Sequence, residues 1–202
     1  MPTKPVRFWG RLKEIELFFQ KNDPVHKTMR RVVKRLERAG IAYAVVGGMA
    51  VNAHGHQRTT ADVDLLLTPE GLTEFQHRFV SRNYESIPGR PRRFTDRTNG
   101  VKIDPFLVAG RFPGSGKPGP IAYPDPSAVG EVIDNTRVVD LVTLMQLKLA
   151  ARRYQDFADV VALIRVHDLD EAFAARLHST VRGDYIECLE EKRREDEYEA
   201  QQ

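Results

Sequence analysis

Two aspartates one residue apart inside an apolar run are the first sign of chemistry in this chain. Asp62 and Asp64 flank Val63, and Leu65, Leu66 and Leu67 follow. A strand has a side-chain period of two, so both carboxylates face the same way, roughly 6.5–7 Å apart at Cα. Like charges so placed repel, and burying them is costly unless a cation lies between them. Hard oxygen donors in this arrangement suit Mg²⁺. Upstream, the apolar residues Tyr43, Val45 and Val46 stop at Gly47 and Gly48, and a short segment of helical character follows. Glycine at a strand-to-helix turn lets the backbone approach a ligand, and N–H groups at a helix start favour phosphate. A cradle and an acidic pair fourteen positions apart, Gly48 to Asp62, point to a nucleoside triphosphate carried as its Mg²⁺ complex. A third carboxylate, Asp104, sits at the centre of the apolar segment VKIDPFLV. An acid there is expensive without a charged partner or a metal.

Other residues invite chemistry less strongly. His54 and His56 flank Gly55, but no cysteine is near, so they are expected near the nucleotide or simply exposed. The piece GSGKPG at 114–119 resembles a P-loop only superficially. Arg111 stands where the first glycine should be, and Pro118 replaces the Ser/Thr. Lys148 lies among Leu144, Met145, Leu147 and Leu149 on a helical segment. Its stem can run past that apolar surface and bring the ammonium to a phosphate. Arg58 is a second candidate for phosphate or substrate contact. Arg30, Arg31, Lys34, Arg35 and Arg38 crowd one helix and read as a solvated face. Seven basic residues and two acids lie between Arg90 and Lys117, around the strand bearing Asp104.

The elements that must position these residues can be laid out along the chain. Phe8, Leu12, Ile15, Phe18 and Phe19 have helical spacing over 8–20. Asp23-Pro24 starts a second helix, and Gly40 stops it. Strands are expected at 42–46 and 62–67, then a helix from Thr68-Pro69 to about Asn83. A strand at 84–87 follows. Asn99-Gly100 marks a hairpin turn between strands at 92–97 and 101–108. Residues 109–127, rich in glycine and proline, read as a long loop. Short extended pieces occupy 130–139, and everything from Leu141 is helical in pattern, ending in a charged run. The expected organisation is N-terminal helices over 1–40, a core over 41–140 and a helical region over 141–202. The 202 residues can form one compact core, with 41% hydrophobic and 29% charged residues and net charge +3. The single cysteine, Cys188, excludes an internal disulfide and a cysteine-based zinc site. No run is long and apolar enough to span a membrane, and the first residues lack a signal peptide's apolar core. A cytoplasmic location without membrane contact is therefore expected.

The order Gly47-Gly48, Asp62-x-Asp64, then a strand-borne Asp104 resembles the nucleotidyltransferase fold of the DNA polymerase β superfamily. Gly-Gly-x-Ala with Arg58-Thr59-Thr60 before Asp-Val-Asp resembles the minimal bacterial nucleotidyltransferases, nearest to AbiEii-type abortive-infection toxins and antibiotic nucleotidyltransferases. Lys148, Ala151, Arg153, Asp156, Asp159 and Val160 fit the helical segment that often follows the sheet in such proteins. The likeness spans roughly residues 41–165. Many members have Gly-Ser, whereas this chain has Gly-Gly, so backbone N–H groups must make every phosphate contact there.

The resemblance implies an α/β (α+β) fold, a small mixed sheet with flanking helices and a helical C-terminal region. It implies transfer of a nucleoside monophosphate from an NTP to an acceptor hydroxyl. Asp62, Asp64 and Asp104 would hold two Mg²⁺ ions, and Gly47, Gly48, Arg58 and Lys148 would hold the triphosphate. The toxin likeness implies tRNA or a protein as acceptor and a cognate antitoxin as partner. The alternatives are an antibiotic-modifying enzyme of aminoglycoside or lincosamide type, and a catalytically silent module that binds RNA or protein.

Overall fold

The computed structural model describes residues 8–113 and 119–201, with the side chains of residues 8–12 and Pro105 excepted. The glycine-rich stretch 114–118, which carries most of the P-loop-like piece, lies outside the described residues. Helix α1 (Phe8–Phe19) leads into α2 (Pro24–Ala39). The Asp23 carboxylate accepts from the backbone N–H groups of Val25 and His26, and Gly40 ends the helix in the left-handed region at φ 67°. These are the N-terminal cap and glycine stop that the sequence predicts.

A seven-stranded mixed sheet follows, in the order β3-β4-β5-β2-β1-β7-β6. Its centre is β1 (Tyr43–Val45) antiparallel to β2 (Asp62–Leu67), with β5 (Lys102–Val108) parallel to β2. Helix α3 (Gly47–Ala53) links β1 to β2 and α4 (Pro69–Phe79) follows β2. Leu65, Leu66 and Leu67 are all fully buried, because helices cover both faces of this central strand. The strands β3 (Tyr84–Ile87), β4 (Arg90–Asp96) and β5 form a meander. Phe75 of α4 fastens to it, its ring 4.6 Å from Phe106, 5.1 Å from Tyr84 and 5.4 Å from Phe94. At the other edge, β6 (Glu131–Ile133) and β7 (Thr136–Val138) form a hairpin whose turn, Asp134-Asn135, takes positive φ at both residues.

The remainder is helical: α5 (Leu141–Ala151), α6 (Tyr154–Val166), two short 3₁₀ turns at Glu171–Arg176 and Ser179–Val181, and α7 (Arg182–Ala200). Among the described residues no helix is long and apolar enough to cross a membrane. The α/β expectation is met, with a small mixed sheet and helices packed on it. Two boundaries differ. Helix α4 stops at Phe79, not near Asn83, because Val80 turns extended and bridges to Tyr84 while Ser81 takes φ 70°. The strand before the Asn99-Gly100 turn starts at Arg90 rather than Arg92, through pairing of Arg90 with Ile87.

The basic cluster on α2 is only partly a solvated face. Arg31 lies 2.7 Å from the buried Asp96, Thr28 donates to the same carboxylate at 3.1 Å, and Arg35 donates to the Tyr84 hydroxyl at 2.9 Å. These bonds tie α2 to the β3–β4–β5 meander. Asp96→Ala removes the shared acceptor and strands Arg31, so the variant is expected to unfold in urea with about 3 kcal/mol less stability. A loss below about 0.5 kcal/mol would show that apolar packing alone holds α2 in place.

Candidate active site

A cavity of about 460 Å³ opens where the ends of β1, β2 and β5 meet α3, α5 and α6. Gly47, Gly48, Arg58, Asp62, Asp64, Asp104 and Lys148 all line it, so every site residue expected from the sequence reaches one place. Tertiary structure brings them there from four separate segments.

The acidic wall comes from two adjacent parallel strands. Val63 pairs with Ile103 and Leu65 with Phe106, so the register slips by one residue between them. Two residues of β5, Asp104 and Pro105, therefore oppose Asp64 alone. A bulge of this kind re-aims side chains and is common beside functional sites. Here it coincides with Asp104 entering the cavity that Asp62 and Asp64 already line.

The glycine pair is demanded by this wall. Gly47 has φ 63°, and a Cβ there would stand 1.9 Å from Asp64 Oδ2. A Cβ on Gly48 would stand 2.9 Å from Thr60 Oγ1 and 3.2 Å from Arg58 Nη1. The start of α3 is thus bare backbone pressed between Asp64, Thr60 and Arg58. Asn52 fixes the loop that brings these residues in. Its amide donates to the carbonyls of Gly48 and Arg58, at 2.9 and 2.7 Å, and accepts from the Arg58 N–H at 3.1 Å.

Electrostatics divide the cavity. Asp64 is half-buried in the cavity wall, and desolvation first, then the charge of Asp62, pushes its carboxyl up to about 8. Asp62 accepts a hydrogen bond from Thr60 at 3.1 Å. Asp104 Oδ1 lies 2.6 Å from Arg93 Nε, yet it is buried with no well-aligned hydrogen bond. Among the described residues no three of His, Cys, Asp and Glu are drawn together tightly enough to hold a metal ion. The donor set nonetheless suits a hard cation: three carboxylates on one wall, one with an orphaned buried oxygen and one whose ionisation desolvation and Asp62 oppose until a cation offsets them.

Opposite lies a cluster of cations. Lys148 is 5% exposed, and its ammonium lies 2.6 Å from Asp159 and 3.2 Å from Asp156. Arg58 Nε lies 2.6 Å from Asp159, and Arg153 donates twice to Asp156, at 2.6 and 3.0 Å. Burial pushes the Asp159 carboxyl up, but Lys148 and Arg58 outweigh it and hold it below the usual range. Three cations share two carboxylates, leaving positive charge in excess beside the cavity.

Several contributors are not evident from sequence. Asp156 and Asp159 fit the resemblance but carry no sign of being the counter-ions of Lys148 and Arg58. Arg153 and Gln155 line the cavity from the α5–α6 turn. Tyr123 enters from the long loop, held by backbone hydrogen bonds to Gly110 and Arg111 at 2.8 and 2.7 Å. The histidine expectation is corrected. His54 is neither exposed nor at the cavity; it is 6% exposed, with Nε2 2.8 Å from the Val139 carbonyl and Nδ1 3.7 Å from Glu131. It fastens α3 to β7.

No family model and no curated protein sequence matches the chain. Among solved structures it is similar to an H. pylori protein provisionally assigned as a nucleotidyltransferase, with 16% identity, 82% of this chain and 76% of that one covered, and a TM-score of 0.45. It is also similar to an antigenic nucleotidyltransferase-like protein from Paracoccidioides brasiliensis, at 15% identity, 67% and 73% coverage and a TM-score of 0.42. JHP933 from Helicobacter pylori is a third, at 16% identity, 74% and 69% coverage and a TM-score of 0.42. Likeness at this level does not assign an activity.

Two outcomes test the site's electrostatics. Because the folded Asp64 carboxyl is raised to about 8 from its ordinary 3.8, the folded state holds a proton that the unfolded chain has released. Stability from this group is complete below pH 3.8 and is lost as pH rises through 8. Without divalent cations, the melting temperature of the wild type should fall between these limits more steeply than that of Asp64→Asn. Parallel profiles would show that Asp64 ionises freely. Separately, Lys148→Ala leaves Asp156 and Asp159 without their shared cation. Arg153 and Arg58 still pair with them, so stability in urea should fall by about 1–3 kcal/mol, less than when a buried charge is left unpaired.

Proposed function

We propose that this protein is a Mg²⁺-dependent nucleotidyltransferase that moves a nucleoside monophosphate from an NTP to a hydroxyl of RNA. One observation carries the reading: Asp62, Asp64 and Asp104 from adjacent strands share a cavity with the side-chain-free start of α3 and a cationic cluster. An acidic wall facing a positively charged one fits a metal–triphosphate complex, in which cation and polyanion are bound together.

In this reading Gly47 and Gly48 bind the terminal phosphates through backbone N–H groups. Gly47 is obligatory, since Asp64 fills the space of its Cβ and its φ is positive, while a Cβ on Gly48 would press on Thr60 and Arg58. Arg58, with 22% of its side chain exposed, and Arg153, with 75%, can reach phosphate while remaining bonded to their carboxylates. Lys148 adds charge from behind, as the buried member of the same cluster. Asp62, Asp64 and Asp104 would hold two Mg²⁺ ions. Mg²⁺ bound there would neutralise the triphosphate and acidify the attacking hydroxyl. By fixing those ions, the three carboxylates would set the α-phosphorus before the acceptor, while Arg58 and Arg153 hold the phosphates. The acceptor oxygen bonds to the α-phosphorus and passes its proton to a carboxylate of the acidic wall. The bond from the α-phosphorus to the bridging oxygen breaks, and pyrophosphate leaves toward Gly47, Gly48 and Arg58.

Charge around the acidic wall favours a polyanionic acceptor. Arg92 and Arg93 lie on β4 beside Asp104, where a cationic antibiotic would instead need acidic contacts. The AbiEii-like sequence pattern would make the enzyme a toxin with a cognate antitoxin, acting on tRNA. A test is incubation with each labelled NTP and Mg²⁺ in the presence of total RNA, cell protein, or a panel of aminoglycosides and lincosamides. Label should enter RNA, and the yield should fall as salt rises, since phosphate contacts release counterions. Asp62→Asn and Asp64→Asn should lower incorporation by at least about a hundredfold while circular dichroism is unchanged. Full activity in Asp64→Asn would defeat the carboxylate assignment, and label confined to protein or to an antibiotic would replace the acceptor.

A further inference from the structure

The chain's buried ion pairs near the sheet are not built alike. Asp96 accepts two hydrogen bonds from Arg31, at 2.7 and 3.1 Å, and one from Thr28. Asp156 accepts two from Arg153. These are aligned contacts that fix elements to one another. The pair between Arg93 and Asp104 differs. The two atoms are 2.6 Å apart, so the charges are in contact, yet Asp104 Oδ1 receives no well-aligned hydrogen bond and is cut off from solvent. The Arg93 side chain is 35% exposed and lines the cavity. Such a pair has charge compensation without the directional bonds that would lock it.

Its position matters as much as its geometry. β4 pairs with β5 through Phe94 and Ile103, which sets Arg93 one step along the ladder toward Asp104. Asp104 is the carboxylate that the bulge aims into the cavity beside Asp64. Among the described residues the three aspartates are not gathered into a metal-binding group.

We propose that Arg93 is a resident counter-cation for Asp104, which a divalent cation must displace before the third carboxylate can join Asp62 and Asp64. This rests on the metal reading given above and adds a positioning residue to it. Arg93 holds Asp104 in place while the site is empty. It yields because its contact is poorly aligned and its side chain has open cavity to move into. Competition of this kind lowers affinity for the cation alone. It leaves a freed guanidinium beside the site for the anionic acceptor.

Direct Mn²⁺ binding tests this without any turnover, by the loss of the free-ion electron paramagnetic resonance signal on titration into the full chain. Arg93→Gln should bind Mn²⁺ more tightly than wild type, by on the order of tenfold, the usual scale of coupling between neighbouring charges. Arg93→Lys should remain close to wild type. Arg92→Gln, which removes one positive charge from the same strand, should change affinity less than about twofold if proximity to Asp104 is what counts. In an Asp104→Asn background, Arg93→Gln should have no further effect, because the group through which Arg93 acts is gone. Tighter binding that persists in that background would show a general field effect and overturn the proposal. So would saturable Mn²⁺ binding that Arg93→Gln leaves unchanged. The absence of saturable Mn²⁺ binding in every variant would overturn the metal reading itself. Thermal melts of each variant show whether a change in affinity reflects loss of fold.

Discussion

The structure turns on one unfavourable contact, the placement of Asp64 beside Asp62 at the cavity end of a central strand. Desolvation and the neighbouring negative charge both oppose its ionisation. A residue in that position normally relieves the cost with a guanidinium or a ring of N–H donors. Asp64 has instead the bare backbone of Gly47 on one side and the bulge of β5 on the other. The glycine is consequently fixed twice. Its φ of 63° disfavours a side chain, and the space for a Cβ is occupied by the carboxylate itself. Helix α3, the loop pinned by Asn52 and the register slip in β5 follow from accommodating this carboxylate.

The cationic cluster is the counterweight. Arg58 comes from the loop before β2, Lys148 from α5, and Asp156 and Asp159 from α6. Their pairing anchors the C-terminal helices to the sheet at the cavity, so the same contacts that hold the fold set the potential inside it. An isolated buried lysine would lose its proton or unfold its surroundings. Two carboxylates compensate its charge at the cavity wall. Arg153, mostly exposed yet doubly bonded to Asp156, carries that positive potential to the rim.

Much of this was legible in the sequence, for physical reasons. The Asp-Val-Asp alternation is local and obeys the strand period. The capped helix from Pro24 to Gly40 follows from side-chain and backbone chemistry within a few residues. The convergence of Asp104 and Lys148 on the glycine pair was expected from the resemblance to a known fold. What escaped were partners. Nothing local says that Lys148 is neutralised by Asp156 and Asp159, because an i, i+8 or i, i+11 pairing exists only once α5 and α6 turn against each other. His54 misled for a related reason. Its ring is claimed by the Val139 carbonyl, 85 residues away. Tyr123 sits in a stretch whose composition says only loop, and its place at the cavity depends on two backbone hydrogen bonds to Gly110 and Arg111.

The acids of this protein fall into classes that its chemistry can use. Asp96, Asp156 and Asp159 are satisfied by aligned cations and belong to the architecture. Asp62 and Asp64 have no cationic partner in contact among the described residues, and their mutual repulsion is what a bound cation would relieve. Asp104 stands between, held by Arg93 at contact distance but without aligned hydrogen bonds. A site built wholly of satisfied carboxylates would be stable and inert toward metal. One built wholly of unsatisfied ones would oppose folding at neutral pH. Grading the three aspartates from unpartnered to loosely partnered limits the uncompensated charge that the empty cavity carries. The β-bulge makes that grading achievable, because it lets Asp104 face the cavity from a strand whose other neighbour supplies Arg93.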